Sequence, residues 1–418
     1  MKTFDAAVEC LLPGGAGCLT TEQGRVLLHD VAPGDRITAS VTQQQRGIAH
    51  AKLERIVEAS PERCAPPCPV ADRCGGCALQ VVKPSAHAAI KSGWVRHAFA
   101  EVWHPHVHWQ SVTPCQEGRR RVRWHLNKQQ QLGFYSRASH QVVASPSCMV
   151  LTPDLQALLQ AWHTVTPALQ ASDAPQAVYA VALENGIHVV LEYKKKPAQL
   201  PIIALNTVAE KAIQWWWHDG QVARPLSRPV LQLYDSVLAD EQDIQLNVGP
   251  DDFVQGNRSG NRAMLQQTQV WCKGARRVVD LFSGIGNISL PLAILGHTVH
   301  GFEMNPASVR AANASAKRLS VPARYEVCDL MGRLATLPEA MIGADVLILD
   351  PPRKGAKQLC RQLHRLLPRQ IIMIHCDPAS AARDSDLVAQ QGYRLQAVRG
   401  LDLFPFSGHV ESMSLWQR

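Results

Sequence analysis

Four cysteines fall within fourteen residues, Cys64, Cys68, Cys74 and Cys77, in CAPPCPVADRCGGC, although the whole chain of 418 residues has only twelve. Such density marks thiols that hold something. Cys68, Cys74 and Cys77 supply three soft ligands at CxxxxxCxxC spacing, and a closed metal site needs a fourth. Zinc with Cys64 as that fourth ligand is one reading, and the CxxxCxxC spacing of radical enzymes is absent. A different thiol, Cys376, follows the apolar run IIMIH and precedes Asp377 and Pro378. A cysteine at a strand end commonly only packs. On the ligand-binding edge of a sheet it serves as a nucleophile when its surroundings favour the thiolate. Glu411 in GHVES offers a base, although read singly it is a solvated strand residue.

In VVDLFSGIGNISLPLA a buried strand ends at Asp280 and turns through Gly284 and Gly286 into an apolar helix. A glycine turn there lets a ligand approach the backbone at the carboxyl edge of an open α/β sheet. The next strand ends at Glu303, twenty-three residues after Asp280, where an acid can accept both hydroxyls of a ribose. Asp329 ends the following element, and Asp350 opens DPPR after the one beyond. Successive acids with a glycine turn point to a nucleoside-containing cofactor. The missing third glycine of the dinucleotide fingerprint favours S-adenosylmethionine over NAD.

These residues need a scaffold of several parts, and the chain is long enough for two or three domains. Residues 1–58 alternate apolar and polar positions between glycine turns, the pattern of a small antiparallel barrel. Residues 59–250 are mixed, with a helix expected around Leu155–Trp162 and an unassigned WWW at Trp215–Trp217. From 251 a helix over Gly260–Cys272 leads into β-branched runs alternating with helices, the signature of a doubly wound parallel sheet. No run of eighteen apolar residues occurs and the N-terminus lacks signal-peptide features, so a cytosolic protein without a membrane span is expected. Reduced or metal-bound cysteines follow from that compartment. A net charge of +8 favours a polyanionic partner.

FVQGN (Phe253–Asn257), DLFSGIGN, DPPRKG, HCDPASAARD and DLFPFSGHVE occur in this order and resemble the RNA uracil-5-methyltransferases. The resemblance implies an α/β fold, with a Rossmann-like class I methyltransferase domain over 251–418. It implies a TRAM, OB-like β-barrel over 1–58 and an α+β central domain over 59–250 that carries an iron–sulfur cluster. Carried over, it makes Cys376 the nucleophile and Glu411 the proton-abstracting base. Gln255, Phe282, Asn287, Glu303, Asp329 and Asp350 would line the S-adenosylmethionine site. A 4Fe-4S cluster would be held by Cys68, Cys74, Cys77 and Cys148, with Cys64 a bystander. Two departures stand out: the motif usually written SCNP reads His375, Cys376, Asp377, Pro378, and Ser283 replaces a common cysteine.

The expected activity is methylation of carbon 5 of a uridine in RNA by a monomer. Members with both a TRAM domain and a cluster favour 23S ribosomal RNA, with transfer RNA as the alternative. An RNA-binding module with an inactive site is the rival of a different class, opposed by the joint presence of Cys376, Glu411 and Asp350. A redox role for the cluster is a third. Arg119, Arg120, Arg121 and Arg123 around Trp124, and Lys194–Lys196, are the candidate RNA contacts, against the plainer reading of solvated faces.

Overall fold

The computed structural model describes residues 3–418 apart from 23, 46, 166–173, 194–211, 227, 333 and 335. Alternation between glycine turns builds a six-stranded N-terminal sheet, in the order Thr3–Ala7, Arg36–Gln45, Ile48–Glu58, Gly24–Leu28, Gly17–Thr21 and Cys10–Leu11. Leu19, Val26, Leu28 and Ile37 turn to its buried side. They join one continuous core with helix Pro84–Ala98 and a face of the C-terminal sheet.

A second sheet of seven strands runs Val142–Ala144, Leu132–Tyr135, Arg121–Leu126, Ala177–Ala182, Ile187–Glu192, Ile213–His218 and Ala223–Pro225. The tryptophan triplet lies in its Ile213–His218 strand. Trp215 and Trp217 pack with Leu155, Leu158 and Trp162 of helix Pro153–Val165. Trp216, on the opposite face, donates its indole N–H to His188 Nδ1 at 2.9 Å.

The third sheet has eight strands, in the order Ala323–Val327, Thr298–Glu303, Arg277–Leu281, Val346–Leu349, Gln370–His375, Glu411–Gln417, Arg394–Asp402 and His108–Pro114. Its first five are parallel, as the buried runs VVDL, VLIL and IIMIH require. The strand order reverses between Arg277–Leu281 and Val346–Leu349, which opens a crevice at their carboxyl ends. Helix Arg258–Trp271 begins two residues earlier than the sequence suggests, because the Asn257 side chain caps it by accepting from Gly260 N at 2.8 Å.

The sequence boundaries need one correction. Helix Pro84–Ala98 and strand His108–Pro114 fall in the segment assigned to a central domain, yet the strand closes the edge of the C-terminal sheet, parallel to Arg394–Asp402. Lys91 locks this addition from within: fully buried, it donates to Asp402 Oδ1 at 2.6 Å and to Phe404 O at 3.0 Å. Among the described residues no helix is long and apolar enough to cross a membrane.

Candidate active site

Three strand ends bring the chemistry together. Asp350 follows Val346–Leu349, Cys376 follows Gln370–His375, and Glu411 opens the neighbouring antiparallel strand, so all three reach the same edge. Glu411 is buried, and burial together with the nearby Asp350 pushes its carboxyl up to about 8. Burial alone raises Asp350 to about 7. The Cys376 thiol is pushed up to about 12 by burial first and then by Glu411 and Asp350, against which Arg353 acts in the opposite sense. Arg353 Nη2 also donates to His409 Nδ1 at 3.2 Å. Burial and the positive charges of Arg353, Arg119 and Lys91 drop His409 to about 4, so its imidazole is neutral and its free Nε2 carries the proton.

Beside this trio lies a small cavity lined by Gln255, Asp280, Phe282, Gly284, Asn287 and Asp350, with Phe253 at its mouth. Its fit to a cationic nucleoside ligand follows from its polar groups. Among the described residues neither oxygen of the buried Asp280 carboxylate nor the Ser283 hydroxyl has a hydrogen-bond partner at ordinary distance, the nearby Ser289 hydroxyl, which acts to lower the Asp280 carboxyl, being engaged with Tyr325. Burial and then the neighbouring acids Asp350 and Glu303 raise Asp280 to about 7, so a cation beside it would be welcomed. Gly284, at φ +53°, leaves open space where a Cβ would stand, which allows a ligand to approach the backbone. Phe282, at φ 68°, takes the same left-handed turn without being glycine and lines the cavity.

Of the remaining expected ligands, Glu303 holds the turn from outside: Oε2 accepts from Gly284 N at 3.1 Å and Oε1 from Asn305 N at 2.8 Å. Each oxygen keeps a lone pair for a hydroxyl. Gln255 Nε2 donates to Asp350 Oδ2 at 3.3 Å. Asn287 exchanges two amide hydrogen bonds of 2.9 Å with Asn261, a helix residue that no motif in the sequence singled out. Asp329 is exposed, lies away from the cavity lining and accepts from its own Met331 N at 3.0 Å.

The motif departures have structural answers. His375 points away from the crevice, its Nε2 3.3 Å from Asp384 Oδ2. Asp377 is the N-cap of helix Pro378–Gln390, accepting from Ser380 N at 2.9 Å, a task asparagine performs equally well.

The arginine stretch requires correction. Arg120 is buried and pairs with Asp235 at 2.6 Å, while its Nε donates to Gln255 O at 2.8 Å, so it positions the FVQGN segment and does not face RNA. Trp124 is fully buried and has no face for a base. Arg121 stacks over Phe253 at 4.3 Å, and Arg123 pairs with Glu192 at 2.5 Å. Lys194–Lys196 lie outside the described residues.

Cys68, Cys74, Cys77 and Cys148 line one cavity together with Arg119, and Cys64 does not. Cys64 instead faces Gln80 O at 3.7 Å. Among the described residues no three ligand-type side chains converge on a point where a single ion would sit. Gly76 N donates to Cys74 Sγ at 3.5 Å.

No protein-family model matches the chain. Across 98% of the chain and 92% of the relative, it is 33% identical to the protein named 23S rRNA (uracil(1939)-C(5))-methyltransferase RlmD in Pseudomonas putida. The chain belongs to the RNA uracil-5-methyltransferase family. The same name is carried by a Pectobacterium atrosepticum protein, 32% identical over 99% of this chain and 94% of its own. The solved structure of the Pyrococcus abyssi tRNA (uracil-54, C5)-methyltransferase with S-adenosyl-L-homocysteine shares the fold. Its TM-score is 0.75 at 20% identity, covering 99% of this chain and all of that one.

Proposed function

We propose that this family member methylates carbon 5 of a uridine in 23S ribosomal RNA in the cytoplasm, with Cys376 as nucleophile and Glu411 as base. The observation that carries the reading is the meeting of Cys376, Glu411 and Asp350 at one sheet edge beside the Asp280 cavity. S-adenosylmethionine supplies a methyl group already activated on a sulfonium. Asp280, Asp350, Gln255, Phe282 and Asn287 would hold its cationic end and Glu303 would take the ribose, while Asp329 stands outside the cavity lining. The buried acids, held up near neutrality, ionise more readily beside a cation.

Carbon 5 of uracil is a poor nucleophile. Attack of the Cys376 thiolate on carbon 6 forms an Sγ–C6 bond and moves the electron pair into an enolate, whose carbon 5 would then take the methyl group as its bond to the sulfonium breaks and the neutral thioether leaves. Glu411 removes the proton left at carbon 5, the Sγ–C6 bond breaks, and the ring and thiolate are restored. Arg353 favours the thiolate, and Asp350 is fixed by Gln255. The target base must leave its stack to reach this edge. Phe253, 54% exposed, offers a ring at the mouth on which a neighbouring base can stack.

Cys68, Cys74, Cys77 and Cys148 would hold a 4Fe-4S cluster, which with four thiolates has no open iron and serves structure. The N-terminal sheet is read as a TRAM-type RNA-binding barrel, and the chain as a monomer. Methyl transfer to 23S and transfer RNA isolated from a strain lacking the gene tests the substrate. Label in 5-methyluridine of 23S RNA is expected; label confined to transfer RNA, or none in either, overturns the reading.

A further inference from the structure

The cysteine site and the base are joined by a short path. Arg119 lines the cysteine cavity and is stitched to the Cys148 segment, its N–H donating to Val150 O at 2.6 Å and its carbonyl accepting from Thr152 N at 3.0 Å. Its guanidinium lies over the Phe404 ring at 4.9 Å. Among the described residues no carboxylate pairs with it, and the side chains that share its cavity include the thiols of Cys77 and Cys148. A half-buried cation of this kind is costly without a counter-charge.

Phe404 belongs to the segment 403–410 that runs directly into Glu411. The segment is held from three sides. Leu79 N, two residues after Cys77, donates to Phe406 O at 2.8 Å. Gly14 N donates to Gly408 O at 2.9 Å, an approach so close that a Cβ on Gly408 would overlap the Gly14 backbone. Lys91 grips Asp402 and the Phe404 carbonyl, and the His87 ring meets Phe406 edge-on at 5.3 Å.

We infer that the four-cysteine site fastens the loop that carries the base, with Arg119 as the positioning residue between them. Once ligated, the cysteines would be thiolates, and their charge would hold the Arg119 cation against Phe404. The Leu79–Phe406 bond transmits the same constraint through the backbone. Loss of the ligated state leaves Arg119 without its anion and frees the loop, so Glu411 no longer meets carbon 5 squarely. The inference rests on Glu411 as base and on the four cysteines as one site.

The test compares amide hydrogen exchange across 402–411 in the anaerobically isolated full chain, without RNA, for wild type, Arg119→Met, Arg119→Lys, Cys148→Ser and the Arg119→Met/Cys148→Ser double variant. Exchange is expected to rise about tenfold in Arg119→Met, and similarly in Cys148→Ser. The double variant should add nothing further, and Arg119→Lys, which keeps the charge, should recover part of the protection. Under turnover, Arg119→Met should raise the fraction of protein trapped as a covalent RNA adduct while the KM for S-adenosylmethionine stays unchanged. Unaltered loop exchange in Arg119→Met, or additive effects in the double variant, overturns the coupling. A metal-free wild type whose loop still responds to Arg119→Met would remove the cluster reading and confine the coupling to the thiols. The absence of any adduct would remove the base reading while the exchange measurement still decides the contact.

Discussion

Glu411→Gln should change how stability depends on pH. The Glu411 carboxyl moves from an ordinary value of 4.5 to about 8 on folding, because it is buried and faces Asp350. An acid whose folded value lies above its unfolded one keeps a proton in the native state that the unfolded chain has lost. Its stabilisation is therefore complete below the unfolded value and is lost as pH rises towards 8. Within that window one proton per molecule costs about 1.4 kcal/mol per pH unit. Between about pH 5.5 and about pH 7.5 the group accounts for a fall on the order of 2–3 kcal/mol. Asp280 and Asp350, both held near 7 by burial, act in the same direction, but they do so in both proteins. Equilibrium urea unfolding of the ligand-free chain, followed by tryptophan fluorescence, isolates Glu411 as the difference between the two pH slopes. The glutamine variant should lose on the order of 2–3 kcal/mol less than wild type across the window. Parallel slopes would refute the burial and proximity argued for this carboxyl.

Lys91→Met strands the buried Asp402 carboxylate and should cost about 3–5 kcal/mol in the same unfolding measurement, because breaking one side of a buried pair leaves an uncompensated charge; a loss below about 1 kcal/mol would place the pair in water. Anaerobically purified protein should contain iron and acid-labile sulfide in near equal amounts, retained in Cys64→Ser and lost in Cys148→Ser; stoichiometric zinc without iron contradicts this. Asp377→Asn should leave stability and turnover near wild type while Asp377→Ala costs about 1 kcal/mol, since the side chain caps a helix; equal losses in both would give Asp377 a role in the chemistry.

The sheet edge was legible because buried β-branched runs announce parallel strands, and each run ends on a chemical residue: Asp280, Glu303, Asp350, Cys376. Local sequence could not reveal what pairs across long separations. RRVRW (Arg120–Trp124) reads as a half-exposed strand, yet Trp124 is covered by helix Pro153–Val165 and Arg120 is claimed by Asp235, over a hundred positions away. HWQSVTP likewise gives no hint that its partner strand is Arg394–Asp402. His375 and Asp377 depart from the usual motif, and only the fold explains them: strand alternation turns His375 inward to Asp384, and the helix start claims Asp377. Arg119 looked like one of several RNA contacts; only the fold sets it between the thiols and Phe404.

The division of labour between Cys376 and Glu411 is tested most directly by trapping the reaction between its two halves. Glu411→Gln keeps the shape of the side chain and removes its basicity, so the thiol should still add, the methyl group should still transfer, and elimination should fail. The variant incubated with S-adenosylmethionine and 23S RNA should accumulate as a protein–RNA species that survives denaturing electrophoresis, with one transferred methyl group per protein. That species should vanish when Cys376→Ala is placed in the same chain. Normal turnover by Glu411→Gln, or binding of both ligands without any adduct, would contradict the assignment of Glu411 as the base.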